Sequence, residues 1–193
     1  MRCDFCYNSD IVFSKEGIYS YINILAFLRS RVDMLDAVVL SGGEATSHDL
    51  IDFCQEIKKL GFLIKLDTNG TNYTTVKELL ELHLLDFVAL DYKAPKEKYI
   101  QITHSKKYDE FSNTLDLLID SDIDYEVRTT IHNDLLNVDD INAIIKDLKT
   151  RAYEKSYYLQ HFLDTGTNIG NMSAASNSFD ETLLSKDVAV VWR

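Results

Sequence analysis

Short apolar runs alternate with amphipathic segments along most of the chain. The runs that carry the signal of strands lie at residues 36–43, 62–70, 87–94, 125–131, 157–162 and 188–193. Most are continuously apolar in the middle, which is typical of buried parallel strands. The segments that repeat apolar residues at i, i+3, i+4 and i+7, as amphipathic helices do, lie at residues 20–35, 47–62, 74–85, 110–123 and 137–149. Repeated strand-then-helix order predicts an α/β fold with a parallel sheet, either doubly wound or curled into a barrel.

The ends of the predicted helices carry their own signals. Thr75 with Glu78 fits a capping box, and Ser47 and Asn137 are candidate N-caps. Gly61 stands where a glycine commonly ends a helix.

Polar residues gather where the predicted strands end. The residues at these ends are Ser41, Gly42, Gly43, Glu44, Asp67, Thr68, Asn69, Gly70, Asp91, Lys93, Arg128, Thr130, Gln160 and His161. A single Asp or Asn after a strand is usually a turn or cap residue. Because the carboxyl ends of parallel strands share one edge, and ligands of parallel α/β folds bind there, the agreement of successive strands predicts a binding site.

Length, composition and charge narrow the class of protein. With 193 residues, 46% hydrophobic and 26% charged, the sequence is that of one globular domain spanning residues 1–193. A net charge of -11 argues against a nucleic-acid partner. The apolar runs are shorter than the roughly 18 to 20 residues of a membrane helix, so we expect no membrane partner. An odd number of cysteines without a leader-like segment favours reduced thiols in the cytoplasm.

Cys3 and Cys6 form a CxxC pair at the start of the chain. The pair supplies two metal ligands, whereas a structural zinc needs four and an iron–sulfur cluster three or four. The pair is therefore either a redox dithiol or part of a metal site whose remaining ligands lie elsewhere. Cys54 falls on the apolar face of a predicted helix and is expected to be a buried, inert thiol. His83, His104 and His132 show no partner pattern, and we expect them on the solvated surface.

Four motifs together resemble a known family. "RCDFCYN", "LSGGEAT", "KLDTNGT" and "LDYKAP" occur in this order. The chain resembles the radical SAM superfamily, and more narrowly the activating enzymes of glycyl-radical proteins, especially the anaerobic ribonucleoside-triphosphate reductase activating protein. The resemblance implies an α/β fold of the partial (β/α)6 TIM-like radical SAM type. The family signature is CxxxCxxC, so Cys3 and Cys6 match its last two cysteines and the first would lie two residues upstream of Met1. We therefore expect a chain truncated at its N-terminus and lacking the first barrel strand.

The resemblance also implies cofactors and partners. In the family, three thiolates hold a [4Fe-4S] cluster whose open iron chelates S-adenosyl-L-methionine (SAM), and the reduced cluster cleaves SAM to a 5′-deoxyadenosyl radical. The implied partner is a glycyl-radical protein, with anaerobic ribonucleotide reductase preferred, and the implied electron donor is a flavodoxin- or ferredoxin-type protein. With two of three thiolates, we expect this chain to hold less than a full cluster.

The resemblance implies roles for individual residues. Cys3 and Cys6 would be metal ligands, and Lys93 and Arg128 would be catalytic residues that meet the SAM carboxylate or the substrate. The implied cofactor-binding residues are Phe5, Gly42, Gly43, Glu44, Asp67, Asn69 and His161. Phe5 and His161 would lie near the adenine, the two glycines near the methionine amino group, and Glu44 would fix their turn. Plain turn residues, surface charges and a structural histidine are the competing interpretations.

Other functions stay open at this point. One is a radical SAM enzyme that acts on a small molecule, such as a 7-carboxy-7-deazaguanine synthase-like protein. Another is a non-catalytic truncated remnant, and a third is a CxxC thiol oxidoreductase. A thioredoxin-like CxxC follows a strand and starts a helix, whereas no strand precedes Cys3 in this sequence.

Overall fold

The strands form one parallel sheet. The structure, a computed structural model, describes residues 1–14 and 17–193. Its strands are β1 (Ala37–Leu40), β2 (Leu63–Thr68), β3 (Phe87–Asp91), β4 (Asp124–Ile131), β5 (Tyr157–His161) and β6 (Val190–Trp192). They lie side by side in chain order, and each pair of neighbours is parallel. The predicted parallel α/β architecture is confirmed.

Helices connect most of the strands. They are α1 (Ser9–Phe13), α2 (Tyr21–Arg29), α3 (Ile51–Lys59), α4 (Tyr73–Glu81), α5 (Lys96–Thr103), α6 (Tyr108–Ile119) and α7 (Val138–Thr150). The sequence pattern did not predict α1 or α5. α1 is only five residues long and buries none of them, so it is too short to show a helical period. The connection from β5 to β6 contains only a 3₁₀ turn, Glu181–Leu183, in place of a crossover helix.

Two of the four predicted helix-end signals are confirmed. The Asn137 side chain accepts from the backbone N–H of Asp140 and forms a capping box at the start of α7. Gly61 follows the end of α3 with a φ of 89°. Thr75 and Glu78 are not a capping box, because α4 begins at Tyr73 and both residues lie inside it.

Ser47 is not an N-cap either. It belongs to a separate 3₁₀ turn, Ala45–Ser47, and α3 begins only at Ile51. The Glu44 carboxylate accepts from the backbone N–H of Thr46 and so caps this earlier turn.

The sheet has an apolar face and a charged face. In β2, Ile64 and Leu66 are fully buried and join a core that includes Ile57 of α3. Lys65 and Asp67 alternate with them and are half-buried on the opposite face. This period of two places the helices over the apolar face and leaves the polar side chains for the concave interior. No helix in the described ranges has the length and apolar character needed to cross a membrane.

The structure also tests the predicted positions of the remaining histidines and Cys54. Cys54 is fully buried as predicted, and burial raises the pKa of its thiol to about 11. His83 and His104 are exposed as predicted. The prediction for His132 is wrong, because its side chain is buried. Its Nε2 lies 2.9 Å from the carbonyl oxygen of Ser173, and its ring packs edge-on against Phe162, so the segment after β5 covers it.

Candidate active site

A cavity of about 530 Å³ opens at the carboxyl ends of the strands. All residues to which the sequence assigned a role line it, namely Cys3, Phe5, Cys6, Gly42, Gly43, Glu44, Asp67, Asn69, Lys93, Arg128 and His161. Cys3, Phe5 and Cys6 come from the loop before α1, and the other residues lie in β2, β4 and β5 or follow β1, β2 and β3. The structure thus brings together residues that are far apart in the chain. Their individual roles stay predictions.

Asp91 is the centre of the charged cluster in this cavity. The strand register sets Asp91 of β3 beside Arg128 of β4. Arg128 Nε donates to Asp91 Oδ1 at 2.6 Å, and Lys93 Nζ donates to Asp91 Oδ2 at 2.9 Å. Burial alone would raise the pKa of Asp91, but the two cations outweigh it and the pKa is lowered. Asp91 is therefore ionised at neutral pH.

The same cluster keeps its two cations charged. Burial alone would lower the pKa of Lys93, but the charges of Asp91 and Cys3 outweigh it and raise the pKa. The pKa of Arg128 is raised as well, because Asp91 and Asp67 outweigh the effect of burial. Two protonated cations therefore line the cavity, where they can bind an anionic group such as a carboxylate.

Asp67 has one oxygen without a donor. Its Oδ2 accepts from Ser41 Oγ at 3.0 Å and lies 3.3 Å from a terminal nitrogen of Arg128. Its Oδ1 is buried and has no hydrogen-bond partner within the described residues, although Lys65 Nζ lies 3.5 Å away. Buried oxygens of this kind are normally paired. Because Asp67 lines the cavity, its Oδ1 can accept a hydrogen bond from a ligand.

The Glu44 carboxylate is occupied by the protein. Its Oε1 accepts from the hydroxyls of Thr46 at 2.5 Å and Thr68 at 2.7 Å, and its Oε2 accepts from the backbone N–H of Asn69 at 2.8 Å. Glu44 thereby joins the end of β1 to the end of β2. The carboxylate therefore bonds within the protein, and its role in the turn of Gly42 and Gly43 stays a prediction. Asn69 likewise accepts from Thr71 through its side-chain oxygen, which sets the turn after β2.

The turn after β1 needs glycine. Gly42 and Gly43 have φ values of 86° and 55°, a region that residues with a Cβ rarely adopt. A Cβ on Gly43 would lie 3.4 Å from Cγ2 of Ile11 in α1. The two glycines therefore present bare backbone groups to the cavity.

The cysteine loop, residues 3–6, is a tight turn closed by a hydrogen bond from the backbone N–H of Cys6 to the carbonyl of Cys3 at 3.0 Å. The Cys3 side chain is buried, and both cysteines are free thiols. Burial raises the pKa of Cys3, although the positive charges of Lys93 and the N-terminus oppose the rise. Phe5 is buried between the cysteines, with Lys93 Nζ 5.6 Å from its ring centroid.

The far wall of the cavity includes residues that the sequence analysis did not select. Arg193 follows β6. Its guanidinium lies 3.6 Å from the ring centroid of Tyr158, and its Nη1 donates to Glu126 Oε1 at 3.0 Å. His161 stacks on Trp192 with ring centroids 4.4 Å apart. Asp91 appeared only among the strand-end residues, and nothing in its local sequence marked it as the partner of two cations. Arg193 stands at the end of the last apolar run, and that position was its only signal.

Comparison with known proteins identifies the family. A family model described as the Radical SAM superfamily matches residues 1–151. The chain belongs to the radical SAM superfamily. The resemblance inferred from the motifs is thereby confirmed.

Two relatives from Methanocaldococcus jannaschii are provisionally named as glycyl-radical enzyme activating enzymes. One is 31% identical over 159 residues, which are 77% of this chain and 64% of the relative. The other is 24% identical over 194 residues, which are 98% of this chain and 72% of the relative. The chain thus spans about two thirds of the length of these relatives.

Solved radical SAM structures share the fold. A structure of anSMEcpe with bound AdoMet superposes with a TM-score of 0.68 at 16% identity, over 84% of this chain and 48% of that one. A domain of pyruvate-formate lyase-activating enzyme from Bacteroides vulgatus gives a TM-score of 0.64 at 15% identity, over 82% of this chain and 99% of that one. The partial-barrel fold of the superfamily is therefore confirmed.

The superfamily implies SAM and an iron–sulfur cluster, and the cavity fits the two groups to different degrees. Asp67 Oδ1, which accepts no hydrogen bond, the bare backbone of Gly42 and Gly43, and the cations Lys93 and Arg128 suit a ligand such as SAM, which carries an ammonium and a carboxylate group. The cluster needs three thiolates. Cys3 and Cys6 supply two, and the described part of the chain has no group of three or more His, Cys, Asp or Glu side chains that could hold a metal ion.

Proposed function

We propose that this chain is the SAM-binding domain of a radical SAM activating enzyme that installs a glycyl radical on a partner protein. The observation that carries the proposal is the cavity itself, where two thiols, two bare glycines and two partly buried cations meet at one edge of a parallel sheet. The names of the two archaeal relatives support the activating function. We take residues 1–193 as one radical SAM domain.

The side chains of the cavity would divide the work of binding. Cys3 and Cys6 would hold a [4Fe-4S] cluster together with a third thiolate, and SAM bound at a reduced cluster supplies a 5′-deoxyadenosyl radical that abstracts a hydrogen atom. The backbone at Gly42 and Gly43 would bind the amino group of SAM. Lys93 and Arg128 would bind its carboxylate or that of the substrate. Asp91 accepts hydrogen bonds from both Lys93 and Arg128, so the two positive charges are held in position before the ligand binds.

Phe5, Asp67, Asn69 and His161 complete the proposed SAM site. Phe5 forms its apolar floor beside the cysteines, and His161 borders the side where β5 ends. Asp67 offers an oxygen that accepts no hydrogen bond, and Asn69 holds the turn that Glu44 ties to β1. Apolar lining from Phe162 and Leu163 would limit the access of water to the radical.

The proposed partner is a glycyl-radical protein, and anaerobic ribonucleotide reductase is the preferred one. A flavodoxin- or ferredoxin-type protein would supply the electron in the cytoplasm. A thiol oxidoreductase is the weaker candidate, because catalytic CxxC thiols have a lowered pKa, whereas burial raises that of Cys3.

SAM binding by the purified chain tests the cavity. We expect saturable binding of radiolabelled SAM in equilibrium dialysis, and a loss of affinity of about tenfold or more in Gly42→Ala, because an added Cβ narrows the backbone approach. Gly61→Ala is the matched control, since Gly61 has a similar φ of 89°, compared with 86° for Gly42, and a Cβ there meets nothing within 4 Å. Absence of saturable binding, or equal affinity in the two variants, would contradict the proposed site.

A second measurement addresses the partner. The chain, reconstituted anaerobically with iron and sulfide, is mixed with the glycyl-radical subunit of an anaerobic ribonucleotide reductase, and the complex is followed by analytical ultracentrifugation. A stable complex supports the activating function. SAM binding without any complex would favour the small-molecule alternative.

A further inference from the structure

We propose that residues 168–177, here called the C-terminal strap, hold the cysteine loop in position, with Gly170 and Asp134 as the positioning residues. The strap lies outside residues 1–151, the part that matches the superfamily model. The contribution of the strap to cofactor binding rests on the proposed function. Its effect on the position of the cysteine loop can be tested by the reactivity of Cys3 and Cys6 alone.

One end of the strap grips the backbone of the cysteine loop. The backbone N–H of Ile169 donates to the carbonyl of Cys6 at 3.0 Å, and that of Gly170 donates to the carbonyl of Asp4 at 2.8 Å. A Cβ on Gly170 would lie 2.7 Å from Asp4 Cβ and 3.0 Å from both its Cα and its carbonyl oxygen. Backbone atoms cannot move aside as the end of a flexible side chain can. Only glycine allows the strap to approach the loop this closely.

The other end of the strap is anchored on the loop between β4 and α7. Asp134 Oδ1 accepts from the backbone N–H of Asn177 at 2.9 Å, and Asp134 Oδ2 accepts from that of Ser176 at 3.0 Å. Asn133 Nδ2 donates to the carbonyl of Asn177 at 2.9 Å, and the buried His132 lies against the carbonyl of Ser173. The bonds from Ser176 and Asn177 lower the pKa of Asp134, so the anchor is ionised at neutral pH.

Hydrogen bonds within the strap close the part that grips the cysteine loop into a turn. The side chain of Asn168 is largely buried; its Nδ2 donates to the carbonyl of Met172 at 2.6 Å, and its Oδ1 accepts from the N–H of Met172 at 2.7 Å. This pair of bonds fixes residues 168–172 as one unit. Since only three residues separate this unit from Ser176, we expect a shift at the Asp134 end to be transmitted to the grip on the cysteine loop.

The cysteine loop is held from two sides. Its backbone N–H at Asp4 donates to the carbonyl of Ile102 at 3.3 Å, and Arg2 donates to Thr103 at 3.1 Å, both at the end of α5. Its carbonyls at Asp4 and Cys6 accept from the strap. Because helix α5 supplies one side and the strap the other, removal of the strap would free the loop on one side and expose the buried Cys3 thiol.

Thiol alkylation measures this directly. The purified chain is treated with iodoacetamide, and the rates at Cys3, Cys6 and Cys54 are read by mass spectrometry of the peptides. We expect Gly170→Ala to raise the rates at Cys3 and Cys6 by about fivefold or more, as local opening raises access, while Cys54 stays protected. Ser173→Ala, a change of similar size at an exposed strap position, should leave all three rates unchanged.

The far anchor provides the more demanding test. Asp134→Ala alters nothing in the cysteine loop, yet we expect it to raise the rates at Cys3 and Cys6, and Asp134→Asn, which retains one acceptor oxygen, to restore most of the protection. Unchanged rates at Cys3 and Cys6 in Asp134→Ala, or a parallel rise at Cys54 in that variant, would overturn the proposal. If Gly170→Ala unfolds the chain, the comparison of Asp134→Ala with Asp134→Asn tests the proposal without it. The alkylation rates are measured without SAM. A failure of the proposed SAM site can therefore be distinguished from a failure of the proposal for the strap.

Discussion

At the scale of single residues, Asp91 has the largest predicted effect on the cavity. It is the acceptor for both Lys93 and Arg128, and all three side chains are no more than 20% exposed. Removing one partner of a buried ion pair leaves an uncompensated charge, which costs more than the intact pair contributes. Among the charges around Lys93 and Arg128, that of Asp91 therefore stabilises the two cations most.

Asp91→Asn should destabilise the chain by about 3 kcal/mol at neutral pH, because it removes the charge that faces both Lys93 and Arg128 and leaves only Asp67 Oδ2, 3.3 Å from Arg128, as a charged acceptor in the cavity. Urea unfolding monitored by circular dichroism gives the difference. Glu81→Gln is the matched control: Glu81 forms an exposed pair with Lys77 at 3.7 Å, and the loss should be below about 0.5 kcal/mol. Equal losses in the two variants would show that the Asp91 cluster is not a coupled unit.

The difference between wild type and Asp91→Asn should depend on pH. The pKa of Asp91 is lowered in the folded chain from an ordinary value of 3.8. The stabilisation from its charge is thus fully present above pH 3.8 and is lost as the pH falls through the lowered pKa. The two unfolding curves should converge in acid, and a difference that grows on acidification would contradict this assignment.

At the scale of elements, helix ends depend on hydrogen bonds that a local pattern specifies only in part. Asn137 and Thr75 both precede an acidic residue by three positions, and both resemble capping boxes. Only Asn137 lies before the first turn of its helix, because α4 begins two residues earlier than Thr75. The buried Val76 and Leu79 place α4 against the core and so set where it begins.

Asn137→Ala should lower the free energy of unfolding by about 1 kcal/mol, because it removes the acceptor for the N–H of Asp140. Thr75→Ala, inside α4, should be neutral or slightly stabilising, since alanine has the higher helix propensity. Thermal or urea denaturation of the two variants distinguishes them. A loss in Thr75→Ala as large as that in Asn137→Ala would argue that Thr75 caps α4 after all.

At the scale of the whole molecule, the number of neighbouring strands and the burial of the helices both decrease from the centre of the sheet towards its β1 edge. β3 and β4 each have neighbours on both sides, whereas β1 and β6 each have one neighbour among the described strands. α1 contributes no buried residue, and α2 contributes only Leu28. The cysteine loop lies next to α1, so its stability comes from α5 and the strap rather than from the helix that follows it.

Hydrogen exchange should report this gradient. We expect the amides of β3 and β4 to exchange slowest, through global unfolding, and those of α1 to exchange fastest, through local opening. Mass spectrometry of peptides, normalised to the exchange of the denatured chain, gives the ranking. Protection of α1 equal to that of β3 would indicate that a further contact covers α1 in solution.

Local patterns in the sequence were enough to predict the strand order, the parallel sheet, the helices other than α1 and α5, and most cavity residues. Hydrophobic periodicity is local, and in a parallel sheet chain direction alone brings residues such as Gly42, Asp67 and Lys93 to one edge. Tertiary structure decided which of them touch. The bond between Arg128 and Asp91 joins residues 37 positions apart and depends on strand register, and the burial of His132 depends on a segment 41 positions further along the chain. The hydrogen bond from Gly170 to Asp4 likewise forms only because that segment folds back onto the cysteine loop. A contact between distant parts of a chain leaves no periodic signal in either part, so the sequence pattern could not predict it.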